Sequence, residues 1–144
     1  MSFDPDEVQR ALREAWSLST SSQWTPNNPA AGQCNVTALL VHELFGGELL
    51  KTPLPAADHF YNRIEGRRYD FTASQFDQPI AYVDLLTDRA DAELGATSDQ
   101  LAELRAAFLR HCTSTIPAGG TAGLPGVHQS ASGSDFPTNR ICPG

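Results

Sequence analysis

Residues 59–72 read His59-Phe60-Tyr61-Asn62-Arg63-Ile64-Glu65-Gly66-Arg67-Arg68-Tyr69-Asp70-Phe71-Thr72. Aromatic and β-branched residues flank a Glu-Gly pair, the signature of two strands joined by a tight turn, so His59–Ile64 and Tyr69–Thr72 are predicted to form an antiparallel hairpin around Gly66. With Glu65 and Gly66 as the central turn residues, Ile64 faces Arg67, Tyr61 faces Asp70 and His59 faces Thr72. Side chains alternate between faces along a strand, so this register puts His59 and Asp70 on one face as diagonal neighbours. Phe60, Ile64, Tyr69 and Phe71 fall on the other, a continuous apolar layer. Asp70 interrupts an otherwise aromatic strand, and a carboxylate in that setting needs a partner.

Upstream, Cys34 to Phe45 carries Val36, Ala38, Leu39, Leu40, Val41, Leu44 and Phe45 around most of a helical circumference, and Gly46-Gly47 stops it. Such a helix belongs in the interior. Glu48–Thr52 then reads as a strand and Pro53 to Asp58 as a loop. Near the start, Val8, Ala11, Leu12, Ala15 and Trp16 recur at helical spacing, with Asp4 as N-cap, Pro5 at the first position and Glu7 at the third. Between these helices, Ser17–Gln33 is rich in Ser, Thr, Asn, Pro and Gly and reads as a long ordered loop. Thr97, with Gln100 three residues on, opens a last helix carrying Leu101, Leu104 and Phe108 through about His111. Residues 1–112 are therefore read as one domain, and 113–144, with repeated Gly, Pro and Ser, as a tail or wrapping segment.

The chain has 144 residues, 40% of them hydrophobic, enough for one core. Its net charge of -7, with Lys and Arg scattered, argues against a nucleic-acid partner. No run is long and apolar enough to span a bilayer, and the acidic start is unlike a secretory signal, so a soluble protein is expected. Three cysteines, Cys34, Cys112 and Cys142, are too few for a disulfide framework and fit a reducing, cytoplasmic setting. His111, Cys112, His128 and Cys142 match no ordinary zinc spacing.

A helix N-terminus favours negative charge, so a cysteine placed there is a candidate thiolate nucleophile. Gly32-Gln33-Cys34 occupies that place, and the Gln33 amide is a candidate oxyanion donor. By residue type alone a buried cysteine is more often a small hydrophobe than a nucleophile. A lone histidine such as His59 is likewise more often structural than catalytic. What raises the functional reading is the combination of Cys34 with His59 and Asp70 as nucleophile, base and orienting carboxylate. Asp58 is the rival carboxylate, but it neighbours His59 and points to the opposite face. Trp24 is a candidate for shielding or binding an acyl group, and Gln75 for a polar contact to substrate; packing and turn formation are the ordinary alternatives.

The runs Asn28-Pro29-Ala30-Ala31-Gly32-Gln33-Cys34-Asn35-Val36-Thr37-Ala38 and Phe45-Gly46-Gly47-Glu48-Leu49-Leu50-Lys51-Thr52 resemble the small bacterial YunG-like family. His59-Phe60-Tyr61-Asn62, Asp70-Phe71-Thr72-Ala73-Ser74-Gln75-Phe76, Pro79-Ile80 and Ser21-Ser22-Gln23-Trp24 extend the likeness over about Trp16 to Arg89. The order Cys, His, Asp with the cysteine heading a helix is also similar to transglutaminase-like and papain-like thiol enzymes. That resemblance implies an α+β fold, with N-terminal helices packed on a small antiparallel sheet. The expected activity is cysteine-dependent acyl transfer on a small-molecule or peptide substrate, with no cofactor and no metal. A non-catalytic binding module on the same scaffold is the rival expectation, and a metal centre built from Cys34, His59 and Asp70 a third.

Overall fold

The computed structural model describes residues 2–113; of the segment read as a tail, 113–144, Thr113 ends a helix and the rest lies outside the described residues. Helix α1, Pro5–Ala15, starts where Asp4 accepts hydrogen bonds from the backbone N–H groups of Asp6 and Glu7, and Pro5 occupies a position needing no donor. Val8, Ala11, Leu12 and Ala15 form its buried stripe. Helix α2, Cys34–Phe45, is buried from Cys34 through Val41 without interruption. It is the central helix, in contact with α3 and α4 as well as with strands β1 and β2.

The strands are β1, Glu48–Pro53; β2, Asp58–Ile64; β3, Arg67–Tyr69; and β4, Leu85–Thr87. They form one sheet in the order β3-β2-β1-β4, with every neighbouring pair antiparallel. Short helix α3 spans Arg89–Glu93, and α4, Ser98–Thr113, packs on α1 and α2. Thr97 caps α4 reciprocally: Gln100 N–H donates to Thr97 Oγ1 and Thr97 N–H to Gln100 Oε1. The architecture is thus α+β, helices on a small antiparallel sheet.

The hairpin forms in the predicted register, with Ile64 opposite Arg67 and Asn62 opposite Tyr69. Glu65 and Gly66 both take positive φ, 51° and 82°, the backbone of a two-residue turn whose twist matches the flanking strands. The second strand differs from expectation. It ends at Tyr69, because Asp70 Oδ1 accepts from Thr72 N–H at 3.2 Å and Thr72 Oγ1 at 3.3 Å. That side-chain turn bends the backbone out of the ladder and leads into a 3₁₀ turn over Ala73–Gln75. β4 and α3, three and five residues long, are too short to show a hydrophobic period and were not foreseen.

The α2–β1 connection is a tight joint. Gly46 and Gly47 both have φ of 78°. A Cβ on Gly46 would meet open space, whereas one on Gly47 would collide with the Arg63 carbonyl oxygen. Gly46, at φ 78° and ψ −146°, sits in a region essentially reserved for glycine, so Gly46→Ala should carry only that backbone penalty, about 1–3 kcal/mol. Gly47→Ala should cost clearly more, and a urea titration of both variants separates the two cases. Equal losses would show that the joint relaxes freely.

Two partly exposed ion-pair networks contribute to the acid limb of stability. Asp84 is held below the usual carboxylate range, first by hydrogen bonds from Arg68 and then by Tyr61, against burial. Asp91 is held below it by hydrogen bonds from Lys51 and then Thr87. A carboxyl lowered in the folded state stabilises above its unfolded value, about 3.9, and that contribution is lost as pH falls through the folded value. Melting temperature should thus fall modestly below about pH 4 on their account, and the Asp84→Asn/Asp91→Asn variant should show a shallower drop.

Candidate functional site

β2 places its residues on two faces. Phe60 and Ile64 join the core, and Asn62 donates from its Nδ2 to the Ala38 carbonyl of α2 at 3.0 Å. His59 and Tyr61 turn to the other face, where their rings lie 5.7 Å apart. There His59 Nε2 meets Asp70 Oδ2 at 2.7 Å, and the Phe76 ring packs edge-on against the imidazole at 4.8 Å. The His59 side chain is fully buried and that of Asp70 only 4% exposed. The pairing is the one the hairpin register implied. Asp58, the rival carboxylate, is instead in an ion pair with Lys51 at 2.9 Å.

Asp70 is satisfied on both oxygens. Oδ1 accepts from Thr72, while Oδ2 accepts from His59 and from the Tyr82 hydroxyl at 2.6 Å. An ionised carboxylate accepts only, so four converging donors match that form. Burial, then the charge and hydrogen bond of Asp70, push the Tyr82 phenol far above its ordinary value, so it stays protonated and donates. With the ring proton on Nε2, the lone pair of His59 lies on Nδ1. That atom is buried and has no hydrogen-bond partner, the Cys34 sulfur included.

Cys34 heads α2 as expected and is fully buried. Its sulfur lies 3.2 Å from Asn35 Oδ1, and Asn35 Nδ2 donates to the Ala92 carbonyl of α3 at 2.9 Å. Cys34 is disulfide-bonded, where reduced cysteines were expected from the sequence. The structure therefore brings His59 and Asp70 together by hydrogen bond and places Cys34 at a helix head without a hydrogen bond to the imidazole.

The long loop before Cys34 is folded by its own polar side chains. Thr20 Oγ1 donates to Gln33 Oε1 at 2.9 Å, and Ser21 Oγ to the Ala31 carbonyl at 3.0 Å. Gly32, with φ of 72°, has no room for a Cβ against Ser21 Oγ. Gln33 is fully buried, and its Nε2 donor has no partner. The Trp24 Nε1 donor and the Gln75 Oε1 acceptor are buried without partners too, although Gln75 Nε2 donates to the Thr72 carbonyl at 3.2 Å. Trp16, by contrast, spends its indole N–H on Thr37 Oγ1 at 2.9 Å and is a packing residue. Unmatched buried polar atoms are uncommon in folded proteins, and each calls for a bridging water, an ion or a functional role.

Tyr82 and its neighbours were missed from sequence. The residues after the 3₁₀ turn fold back over the His59 face: Val83 N–H donates to Thr52 Oγ1 at 2.8 Å and Asp84 N–H to the Tyr61 hydroxyl at 3.0 Å. Arg68 binds the Asp84 carboxylate through Nε and Nη2 at 2.9 and 2.8 Å, and its guanidinium lies 4.2 Å from the Tyr82 ring centre. The stretch Pro79-Ile80-Ala81-Tyr82-Val83-Asp84 has no period and no motif, so nothing in its pattern signals this role.

A cavity of about 620 Å³ lies at the other end of the sheet, beside His42, Leu86 and Arg89. A smaller one of about 180 Å³ borders Asn35, Asp58, Phe60 and Asp91. Neither is lined by Cys34, His59 or Asp70. Among the described residues no group of three or more metal-ligating side chains is assembled, and no helix is long and apolar enough to cross a membrane.

Comparison with known proteins gives a family and no activity. The chain is 43% identical over 109 residues to a protein of Bacillus subtilis (strain 168) named uncharacterized protein YunG, a match covering 76% of this chain and 95% of that one. No solved structure matches the chain significantly. The YunG protein family model matches residues 4–113, from the cap of α1 to the end of α4, and the chain belongs to that family.

Proposed function

We propose that the reduced protein performs cysteine-dependent acyl transfer, with Cys34 as nucleophile, His59 as base and Asp70 as the carboxylate that orients it. The observation that carries this reading is the buried His59–Asp70 pair, which leaves a lone pair on an unpartnered imidazole nitrogen. We also place the chain with the transglutaminase-like and papain-like thiol enzymes. The chain order Cys, His, Asp supports that placement, as does a cysteine-headed helix packed on an antiparallel sheet.

The step requires the reduced Cys34 Sγ, carried on the α2 side of the sheet, to reach His59 Nδ1, to which its proton passes. The thiolate forms a bond to the carbonyl carbon of an amide, ester or thioester, and the Gln33 Nε2 donor is suited to the oxyanion that develops. Collapse breaks the bond to the leaving group, which takes the proton from His59, and a thioester remains on Cys34. Water or an amine then attacks that thioester, its proton returning through His59, and the thiol is regenerated. Asp70 holds the Nε2 proton throughout. The substrate class is a small-molecule or peptide acyl compound.

One observation favours the rival reading, a non-catalytic binding module: Cys34 is buried and disulfide-bonded. Thiol reactivity separates the two. In the fully reduced chain, Cys34 should react with iodoacetamide at neutral pH faster than Cys112, whose thiol is pushed up by burial and then by Glu7. His59→Ala should slow Cys34 alkylation by about 10²-fold or more, the scale of general-base assistance, and leave Cys112 unchanged. Cys34→Ala should abolish turnover of an activated ester while leaving the melting temperature of the reduced chain nearly intact. A Cys34 rate indifferent to the imidazole would overturn the enzyme reading.

A further inference from the structure

We infer that Tyr82 is a positioning residue for His59, acting through Asp70. This deepens the Cys34–His59–Asp70 reading, on which its catalytic meaning rests. Two donors share one carboxylate oxygen: the Tyr82 hydroxyl at 2.6 Å and His59 Nε2 at 2.7 Å from Oδ2. Thr72 occupies the other oxygen through its N–H and its hydroxyl. A carboxylate with only Thr72 and His59 on it can swing about its Cα–Cβ and Cβ–Cγ bonds. A third anchor from a separate segment fixes its plane, and with it the plane of the imidazole.

That third anchor is itself rigidly mounted. The Tyr82 ring sits under the Arg68 guanidinium and edge-on to Tyr61, whose ring centre is 5.1 Å away. Asp84, two residues on, adopts φ of 58°, a left-handed conformation that a non-glycine residue keeps only when its surroundings enforce it. They do so with three contacts: the Arg68 pair, the Tyr61 hydroxyl on Asp84 Oδ1 at 2.9 Å, and the Asp84 N–H on Tyr61. Val83 is tied to Thr52 of β1 on the other side. Tyr82 is thus followed by two pinned residues and packed between the Arg68 guanidinium and the Tyr61 ring, with its hydroxyl on Asp70. The groups facing Asp70 and His59 are therefore Thr72, Tyr82, Tyr61, Phe76 and, behind the Tyr82 ring, Arg68.

Tyr82→Phe removes the hydroxyl and keeps the ring that Arg68 and Tyr61 pack on. In the reduced full-length chain labelled with ¹⁵N-histidine, the wild type should show His59 as the Nε2–H tautomer with a slowly exchanging ring proton. In Tyr82→Phe that proton should exchange about tenfold faster, the effect of losing one charge-assisted hydrogen bond. The pH profile of Cys34 alkylation should move with it, which a purely structural tyrosine would not cause. In an Asp70→Asn background the same substitution should add nothing, because the effect runs through the carboxylate. Unchanged ring exchange in Tyr82→Phe, or an additive effect on Asp70→Asn, would overturn the proposal. Should Tyr82→Phe fail to fold, the wild type decides: a nuclear Overhauser contact between the His59 Nε2 proton and the Tyr82 ring supports the proposal, and its absence overturns it. The thiol reading fails separately, through Cys34 reactivity that ignores His59 while the ring proton still answers to Tyr82.

Discussion

A carboxylate carried into an almost dry setting is the constraint around which the far face of the sheet is organised. Left without partners, a buried Asp70 would cost several kcal/mol, comparable to a large share of the whole stability of a domain this size. Four donors from three segments prevent that: Thr72 from the adjacent turn, His59 from β2 and Tyr82 from the returning loop. Because those segments are far apart in sequence, satisfying one side chain closes the loop over the sheet and buries His59 beneath it. The same carboxylate ends β3 by drawing the chain into a turn. Fold and site therefore share a cause.

The opposite face depends on a different kind of interaction. α2 is buried on nearly all sides along its first eight residues, from Cys34 to Val41, so its placement is enforced by apolar packing rather than by any single bond. One hydrogen bond and one tight turn register it against the sheet. Asn62 reaches the Ala38 carbonyl, and Gly47 lets the chain turn against the Arg63 carbonyl. The helix head, with Gln33 and Cys34, is thereby pinned beside a polar loop that carries unmatched donors. Polar atoms that the fold itself leaves unused are available to a ligand.

Much of this was legible in the sequence because it rests on period and on turn chemistry. The hairpin register followed from Glu65-Gly66 and the alternation of aromatic residues, and it brought His59 to Asp70 before any coordinates. α2 and the two capped helices were bounded by residues whose roles are local: Asp4, Thr97 and Gly46. What stayed hidden is non-local. The exchange of a predicted strand at 70–72 for a turn depended on Asp70 preferring its own backbone to the ladder. Tyr82 and Asp84 matter only through partners twelve to twenty-three residues away, and no pattern marks them. The disulfide state of Cys34 is likewise a matter of tertiary approach, which spacing does not encode.

The family match bears on where function should be sought. It runs from residue 4 to 113 and so includes every residue of the His59 site, while the name of the relative carries no activity to transfer. The chemistry must then be argued from the site. There, the decisive asymmetry is between the two nitrogens of one ring: Nε2 is held by a carboxylate that two other residues also hold, and Nδ1 is held by nothing. Leaving a buried imidazole nitrogen without a partner costs about 1–3 kcal/mol. The general base proposed above would use that lone pair, and the network behind Asp70 holds the ring in the orientation that presents it.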